Sequence, residues 1–311
     1  MISRRSVRVK VMQLLYMLHR DEHLTYQDVV ELYNDGIGKT YELYLLHLYL
    51  LLRVTQYAEK DAEVRAAKML PSEEDKVFVP RLYKNPCVQS LANHTGFLRL
   101  VEEYKLFENI DADAIRRLYQ AFGATEPSKQ YLALSEPSAE DHKKVLLELY
   151  RFLVNHDLFI EMVEDRYSNW LDDESLVVGA MKKTIKAMPL EGDFYREYEP
   201  SDETVRDFGE QLLRKTCQEE RALHEFIAPM LKNWDPERVA ILDMIMLKMA
   251  VCEFLHFPTI PLKVTINEYV EISKIYSTEN SREFINGILD RLMKRFQKEG
   301  KIVKEGRGLL E

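Results

Sequence analysis

IPLKVTINEYVEISKIYSTENSREFINGILDRL, from Ile260 to Leu292, reads as two amphipathic helices joined by a short polar turn. In the second helix Phe284, Ile288 and Leu292 recur at i, i+4 and i+8, which places them on one face. An Asn286-Gly287 pair falls mid-helix. Glycine in a helix interior costs about 1 kcal/mol relative to alanine, so it marks close packing, local helix bonding or close ligand approach. The expectation here is packing and local bonding. At the turn, Asn280 is placed to cap the second helix, with Glu283 three residues on as a capping-box partner.

The rest of the chain agrees with this helical text. It has 311 residues, 46% of them hydrophobic and 31% charged, with only 11 Gly and 11 Pro, which suits an all-α protein with a sizeable core. The formal net charge of −9 argues against indiscriminate coating of nucleic acid, although a local basic site remains open. Cys87, Cys217 and Cys252 are widely spaced and lack ligand spacing, so reduced thiols in a cytoplasmic protein are expected, with neither disulfide nor zinc. The longest apolar run, Tyr44 to Leu52, contains His47 and is followed by Arg53, too short for a membrane span.

The first helix is expected from Ser3 to Arg20. Val7, Val11, Leu14, Leu15 and Leu18 form its apolar face, and Arg4, Arg5, Arg8 and Lys10 precede the first acidic residue, Asp21. That basic start also has the composition of an organellar transit peptide. A short helix over Thr25–Tyr33, ended at Asp35-Gly36, precedes a long apolar helix over Lys39–Leu70. Residues 71–96 read as a loop or extended arm, 97–122 as helix and 123–141 as linker. A helix pair follows over 141–187, then a linker over 189–200 and helices over 202–232, 236–256, 262–276 and 281–299. Two Glu-Pro-Ser triplets, at 136 and 199, each lead through an apolar helix to an Asn-Trp pair, Asn169-Trp170 and Asn233-Trp234. The spacing fits either chance recurrence or a decayed duplication.

Enzyme signatures are lacking: no GxGxxG after a strand, no P-loop, no GxSxG and no HExxH. Carboxylate pairs such as Asp172-Asp173 sit at helix starts, where acids meet the helix dipole favourably. The eight His residues make no metal-ligand pattern, and no cofactor is expected. The arginines of the first helix are the strongest chemical feature, since guanidinium groups grip phosphates and stack on unpaired bases.

RRSVRVKVMQLLYML (Arg4–Leu18), WDPERVAILDMIMLKMAVCEFL (Trp234–Leu255) and the opening stretch together resemble the NusB family of bacterial transcription antitermination proteins. Arg238, Asp243 and Glu253 fall near the family's characteristic polar places, with the acid of ILDMIMLKM displaced from the commonest pattern. The resemblance implies an all-α bundle of two three-helix subdomains plus an inserted helical region. The boundaries it suggests are 1–35 for N-terminal helices, 36–199 for an insertion, 200–300 for core helices and 301–311 for a basic tail. Residues 24–70 compete with 202–232 for a place in the core, so that 36–70 would leave the insertion for the core, and 202–232 are favoured because they adjoin the matched half.

The family implies a non-enzymatic factor that binds boxA-type single-stranded RNA together with the NusE ribosomal protein. In the elongation complex with RNA polymerase it supports ribosomal RNA transcription, with no membrane role. The RNA-binding residues so implied are Arg4, Arg5, Arg8, Lys10, Asn280, Arg282 and Phe284; the partner-binding residues are Tyr16 and Glu253. Phe284 and Tyr16 suit core positions equally well. The competing readings are a helical scaffold that kept the fold without specific RNA binding, and an RNA methyltransferase, whose glycine-rich cofactor motif and catalytic cysteine do not occur. For the insertion, Arg81, Tyr83 and Lys84 are candidates to extend an RNA face.

Overall fold

The apolar periodicities are realised as helices almost throughout the computed structural model, which describes residues 2–231 and 239–309. In chain order these are α1 (Arg4–Arg20), α2 (Tyr26–Ala66), α3 (Glu73–Val77), α4 (Pro86–Ala92), α5 (Thr95–Glu103) and α6 (Ala112–Gly123). Then come α7 (Glu126–Ala133), α8 (Ala139–Leu153), α9 (Asp157–Glu164), α10 (Trp170–Ala187), α11 (Asp202–Thr204), α12 (Gln211–Gln218) and α13 (Glu220–Ile227). The last three are α14 (Ile241–His256), α15 (Leu262–Tyr276) and α16 (Ser281–Lys298). The fold is all-α, with no strand among the described residues. No described helix is long and apolar enough to cross a membrane. Arg238 and the Asn233-Trp234 pair lie outside the described residues.

The chain divides into two compact units, one of residues 38–199 and one of residues 2–37 with 200–311. α2 contributes to both. Where two helices were expected on either side of Asp35-Gly36, one runs through. Nothing crowds Gly36 or Gly38, so both glycines simply accept helical geometry. Their propensity cost, about 1 kcal/mol each, is outweighed by burial of Val29, Tyr33 and Ile37 in one core and Tyr41 and Leu43 in the other.

In the 38–199 unit, α2 is buried all round from Leu43 to Leu52, as its unbroken apolar run demands. His47 sits within it, enclosed by the rings of Tyr150, Phe159 and Trp170, with Nδ1 2.9 Å from the Tyr150 hydroxyl. Burial pushes its pKa down to about 3, so the imidazole is neutral. The expected loop over 71–96 contains α3 and α4, because Ser72 and Asn85 cap them. The expected helix over 97–122 breaks into α5 and α6, and the supposed linker over 123–141 contains α7. The expected pair over 141–187 is a trio, α8 to α10. Arg81 is occupied in donating to the carbonyls of Leu132 and Leu134.

In the other unit α14 forms the centre and packs against α1, α12, α13, α15 and α16. Both sequence candidates for the neighbourhood of α1 contribute to this core: Val29, Tyr33 and Ile37 on one side, Val205, Phe208, Leu212 and Leu213 on the other. Between α11 and α12, residues 205–210 widen into a π-helical turn. Gly209 lies there against the Tyr33 hydroxyl and Val7 Cγ1, with no space for a side chain. Gly287, the glycine conspicuous in the sequence, is uncrowded instead. The nearest atom to a Cβ there is an Arg291 guanidinium nitrogen at 4.0 Å, and the Gly287 carbonyl accepts from Arg291 Nε at 3.0 Å. The expected local helix bond is present, and the expected close packing is not. The basic tail folds back: Lys304 Nζ donates to the Phe257 carbonyl at 2.9 Å, closing the end of α14.

Candidate nucleic-acid interface

α1 starts cleanly because Ser3 and Ser6 form a capping box, which leaves the side chains of Arg4 and Arg5 at the helix head. Its apolar face (Val7, Val11, Leu14, Leu15) is buried, each residue worth at most about 1.5–3 kcal/mol by transfer. A helix so anchored sends its arginines to different depths. Arg4 and Arg5 keep 37% and 54% of their side chains exposed, whereas Arg8 keeps 3%.

Arg8 and Glu253, expected to meet RNA and the protein partner respectively, meet each other. Arg8 donates Nε and Nη2 to the two carboxylate oxygens of Glu253 at 2.6 and 2.7 Å, a bidentate pair in the core between α1 and α14. Thr265 Oγ1 donates to the same carboxylate at 3.3 Å, and the guanidinium lies 4.9 Å from the Phe208 ring centroid and 5.8 Å from that of Tyr269. Burial, the largest influence, works against the charged guanidinium, yet the charge and hydrogen bonds of Glu253 raise its pKa above the ordinary arginine value. Glu253 is wholly buried, so its charge is consumed internally and it presents nothing to a basic protein. Lys10 is likewise buried. The periodicity of α1 marks the apolar stripe, but carries no sign that a stripe on α14 supplies an acid opposite Arg8.

The two surface arginines pair with acids of different helices, Arg5 with α15 and Arg4 with α11. Arg5 grips Glu268 with Nε and Nη2 at 2.8 and 2.7 Å, and Arg4 reaches Glu203 at 3.0 Å. The hydrogen bonds from Arg5 hold the Glu268 carboxyl below the usual range. Glu271, one turn along α15, is lowered first by its bond to Lys274 and then by the charges of Lys274, Arg5 and Arg282. Arg5 from the head of α1 and Arg282 from the first turn of α16 thus share one electrostatic neighbourhood with Lys274. Exposed ion pairs of this kind are worth about 0–1 kcal/mol, so a phosphate can replace the carboxylates at small cost.

The turn that carries Asn280 and Arg282 is fixed by Asp243, the acid displaced in the ILDMIMLKM string. Ser277 Oγ and Ser281 Oγ donate to its two carboxylate oxygens at 2.6 and 2.7 Å, and Thr278 Oγ1 lies 2.8 Å from Ser281 Oγ. Asn280 makes no side-chain cap bond; the serines and Asp243 take the role expected of it and Glu283. Asn280 and Arg282 are both exposed. Phe284 is buried in the core with Ile288 and Leu292, so its ring does not face solvent. Tyr16 stands at the edge of α1, about one-third exposed, with Met17 beside it. Among the described residues no group of His, Cys, Asp and Glu is arranged to hold a metal.

A family model described as the NusB family matches residues 177–294. The transcription antitermination protein NusB of Salinibacter ruber is 38% identical over 109 residues, 35% of this chain and 68% of that protein. That of Anaeromyxobacter dehalogenans is 39% identical over 99 residues, 32% of this chain and 69% of that one. That of Chloroherpeton thalassium is 36% identical over 111 residues, 36% of this chain and 53% of its own length. No solved structure matches. The matched stretch takes in α14 to α16 with the buried acid Glu253, the Asp243 clamp and the α16 turn, and on these grounds the chain belongs to the NusB family.

Proposed function

We propose that this protein is a transcription antitermination factor that binds boxA-type single-stranded RNA together with the NusE ribosomal protein and acts on the elongation complex during ribosomal RNA transcription. The observation that supports an RNA surface is that the charges of Arg5, Lys274 and Arg282 all act on Glu271, with exposed Arg4 adjoining Arg5 in the first turn of α1. Asn280 offers amide groups for a base edge at the same turn. In this reading Arg8, Lys10, Glu253 and Phe284 shape the surface from below, and Tyr16 with Met17 offers an apolar spot to the protein partner. Residues 36–199 form an insertion within the family core, and 200–300 complete that core.

The test is binding of a boxA RNA, with and without NusE, across a salt series. Each phosphate contact contributes about 0.7 to the slope of log affinity against log salt on single strands. Replacing Arg4, Arg5 and Arg282 by Gln should flatten the slope by about 2 and weaken binding. An unchanged slope and affinity would remove this face from the RNA site. Wild-type protein that shows no preference for boxA over scrambled RNA would favour a scaffold in place of a recognition factor.

A further inference from the structure

Residues 38–199 carry 21 Lys and Arg against 28 Asp and Glu, so this unit is acidic. Its lysines are not spread evenly. Ser175 to Leu190 contains Lys182, Lys183 and Lys186 with no acid, and all three are exposed at the last turns of α10. α8 lies against α10 and brings Lys143 and Lys144 to the same end, where Lys143 Nζ donates to the Lys186 carbonyl at 3.0 Å. α4 closes the group. Asn85 Nδ2 donates to the His142 carbonyl at 3.0 Å, the Leu190 amide donates to Ser90 Oγ at 2.9 Å, and exposed Lys84 stands one residue before Asn85.

The helix dipole explains only part of this. The negative end of α10 favours a cation or two within its last turn. Here Lys143 already serves the terminal carbonyls, yet Lys144, Lys182, Lys183 and Lys186 remain exposed and form no ion pair among the described residues. α4 offers no counter-charge, since PCVQSLA has no acidic residue. The nearest acids in sequence are Glu140, Asp141 and Glu148 on α8 and exposed Glu191 just past α10. Asp141 is held by the capping box of Ser138 with the Lys144 charge acting on it, and Glu148 pairs with Arg151. This leaves five basic side chains facing few uncommitted acids. Two ammonium groups about 8 Å apart repel by only about 0.5 kcal/mol in water, so the cluster is tolerable unoccupied while summing to a local positive field.

We infer that the Lys144, Lys182, Lys183 and Lys186 surface at the joined ends of α8 and α10 binds the phosphate backbone of single-stranded RNA without reading its bases. Ammonium groups on flexible stems act as point charges for phosphate and lack the planar fork that matches a base edge. The patch also shows no exposed aromatic ring on α8 or α10 to stack a base, since Trp170 and Tyr150 are buried and Phe152 is partly buried against the core, eight residues beyond Lys144. This site is independent of the boxA reading.

The probe is oligouridylate RNA without a boxA element, titrated against the full chain across a salt series. The variant combines Lys144→Gln, Lys182→Gln, Lys183→Gln and Lys186→Gln, all at exposed positions, with helicity checked by circular dichroism. The salt slope should fall by about 3, at about 0.7 per lost contact, while the ratio of boxA to scrambled RNA affinity stays unchanged. Arg4→Gln with Arg5→Gln should leave the remaining lysine-dependent slope in place. Lys182→Glu with Lys183→Glu should weaken oligouridylate binding further than the matching glutamines. Wild-type affinity and slope in the lysine variant would overturn the inference. So would loss of poly-glutamate binding with oligouridylate binding intact, which would identify the patch as a surface for an acidic protein.

Discussion

Replacing Arg8 by Met leaves the Glu253 carboxylate wholly buried with Thr265 as its remaining close donor. Removing one partner of a buried pair costs about 3–5 kcal/mol, because the desolvated charge that stays behind has lost its counter-ion. Three features place this pair toward the upper end: both oxygens of the acid are bonded to one guanidinium, the arginine is 3% exposed, and two rings close over it. For a unit of this size each kcal/mol shifts the midpoint by about 2–4 °C, so the transition that includes α1 and α14 should fall by roughly 10 °C. Replacing both residues, Arg8→Met with Glu253→Leu, removes the stranded charge and should recover most of the loss. Denaturant melts of the two single variants and the double give the coupling directly. A loss below about 1 kcal/mol in Arg8→Met, or a double variant no better than the singles, would refute the argument that the pair is an internal charge clamp. Arg8→Lys tests its geometry: a point charge without the planar fork should recover only part of the stability.

His47 gives a pH dependence of definite sign. Its folded pKa, about 3, lies below the ordinary value of 6.5, so the unfolded chain binds the proton more readily. The stability that its neutral burial contributes is complete above pH 6.5 and is lost as pH falls toward 3. The loss amounts to at most about 5 kcal/mol, at about 1.4 kcal/mol for each pH unit separating the folded and unfolded values. Urea melts over that window should lose this part of their slope in His47→Gln, and an identical slope would contradict the assignment. Gly209→Ala should destabilise by about 1–3 kcal/mol, as an added methyl runs into the Tyr33 hydroxyl and Val7; Gly287→Ala, in open space, should be neutral or slightly stabilising by propensity. Equal melting temperatures for the two alanine variants would refute the contrast.

The helices were legible wherever a stripe of apolar residues had length enough to declare its period, as in α1, α8, α15 and α16. Short helices such as α3 and α4 were hidden among prolines, because their starts depend on caps (Ser72, Asn85) that propensity alone does not reveal, while α7 starts with Pro127 in its first turn, where the proline reads locally as a breaker. The continuity of α2 was hidden for the opposite reason: Asp35-Gly36 is a stop signal locally, and tertiary burial on both sides overrides it. In the candidate site, charge type was visible and depth was not. Arg4, Arg5 and Arg8 look alike in the sequence, and only the acids supplied by α11, α15 and α14 (Glu203, Glu268 and Glu253) sort them into surface and core. Asp243 appeared as a displaced family position; its serines, 34 and 38 residues downstream, give it a purpose.

The partners Arg8 and Glu253 are 245 residues apart in the chain. During synthesis at about 5–20 residues per second, α1 emerges roughly 12–50 s before the acid that neutralises it. The 38–199 unit is a single continuous segment and has all its contacts available in the interval. It can therefore finish folding while Val7, Val11 and Leu14 still wait, exposed, for α14. α1 is thus made long before it can reach its place, and during that delay its arginines and lysine keep an otherwise apolar helix soluble.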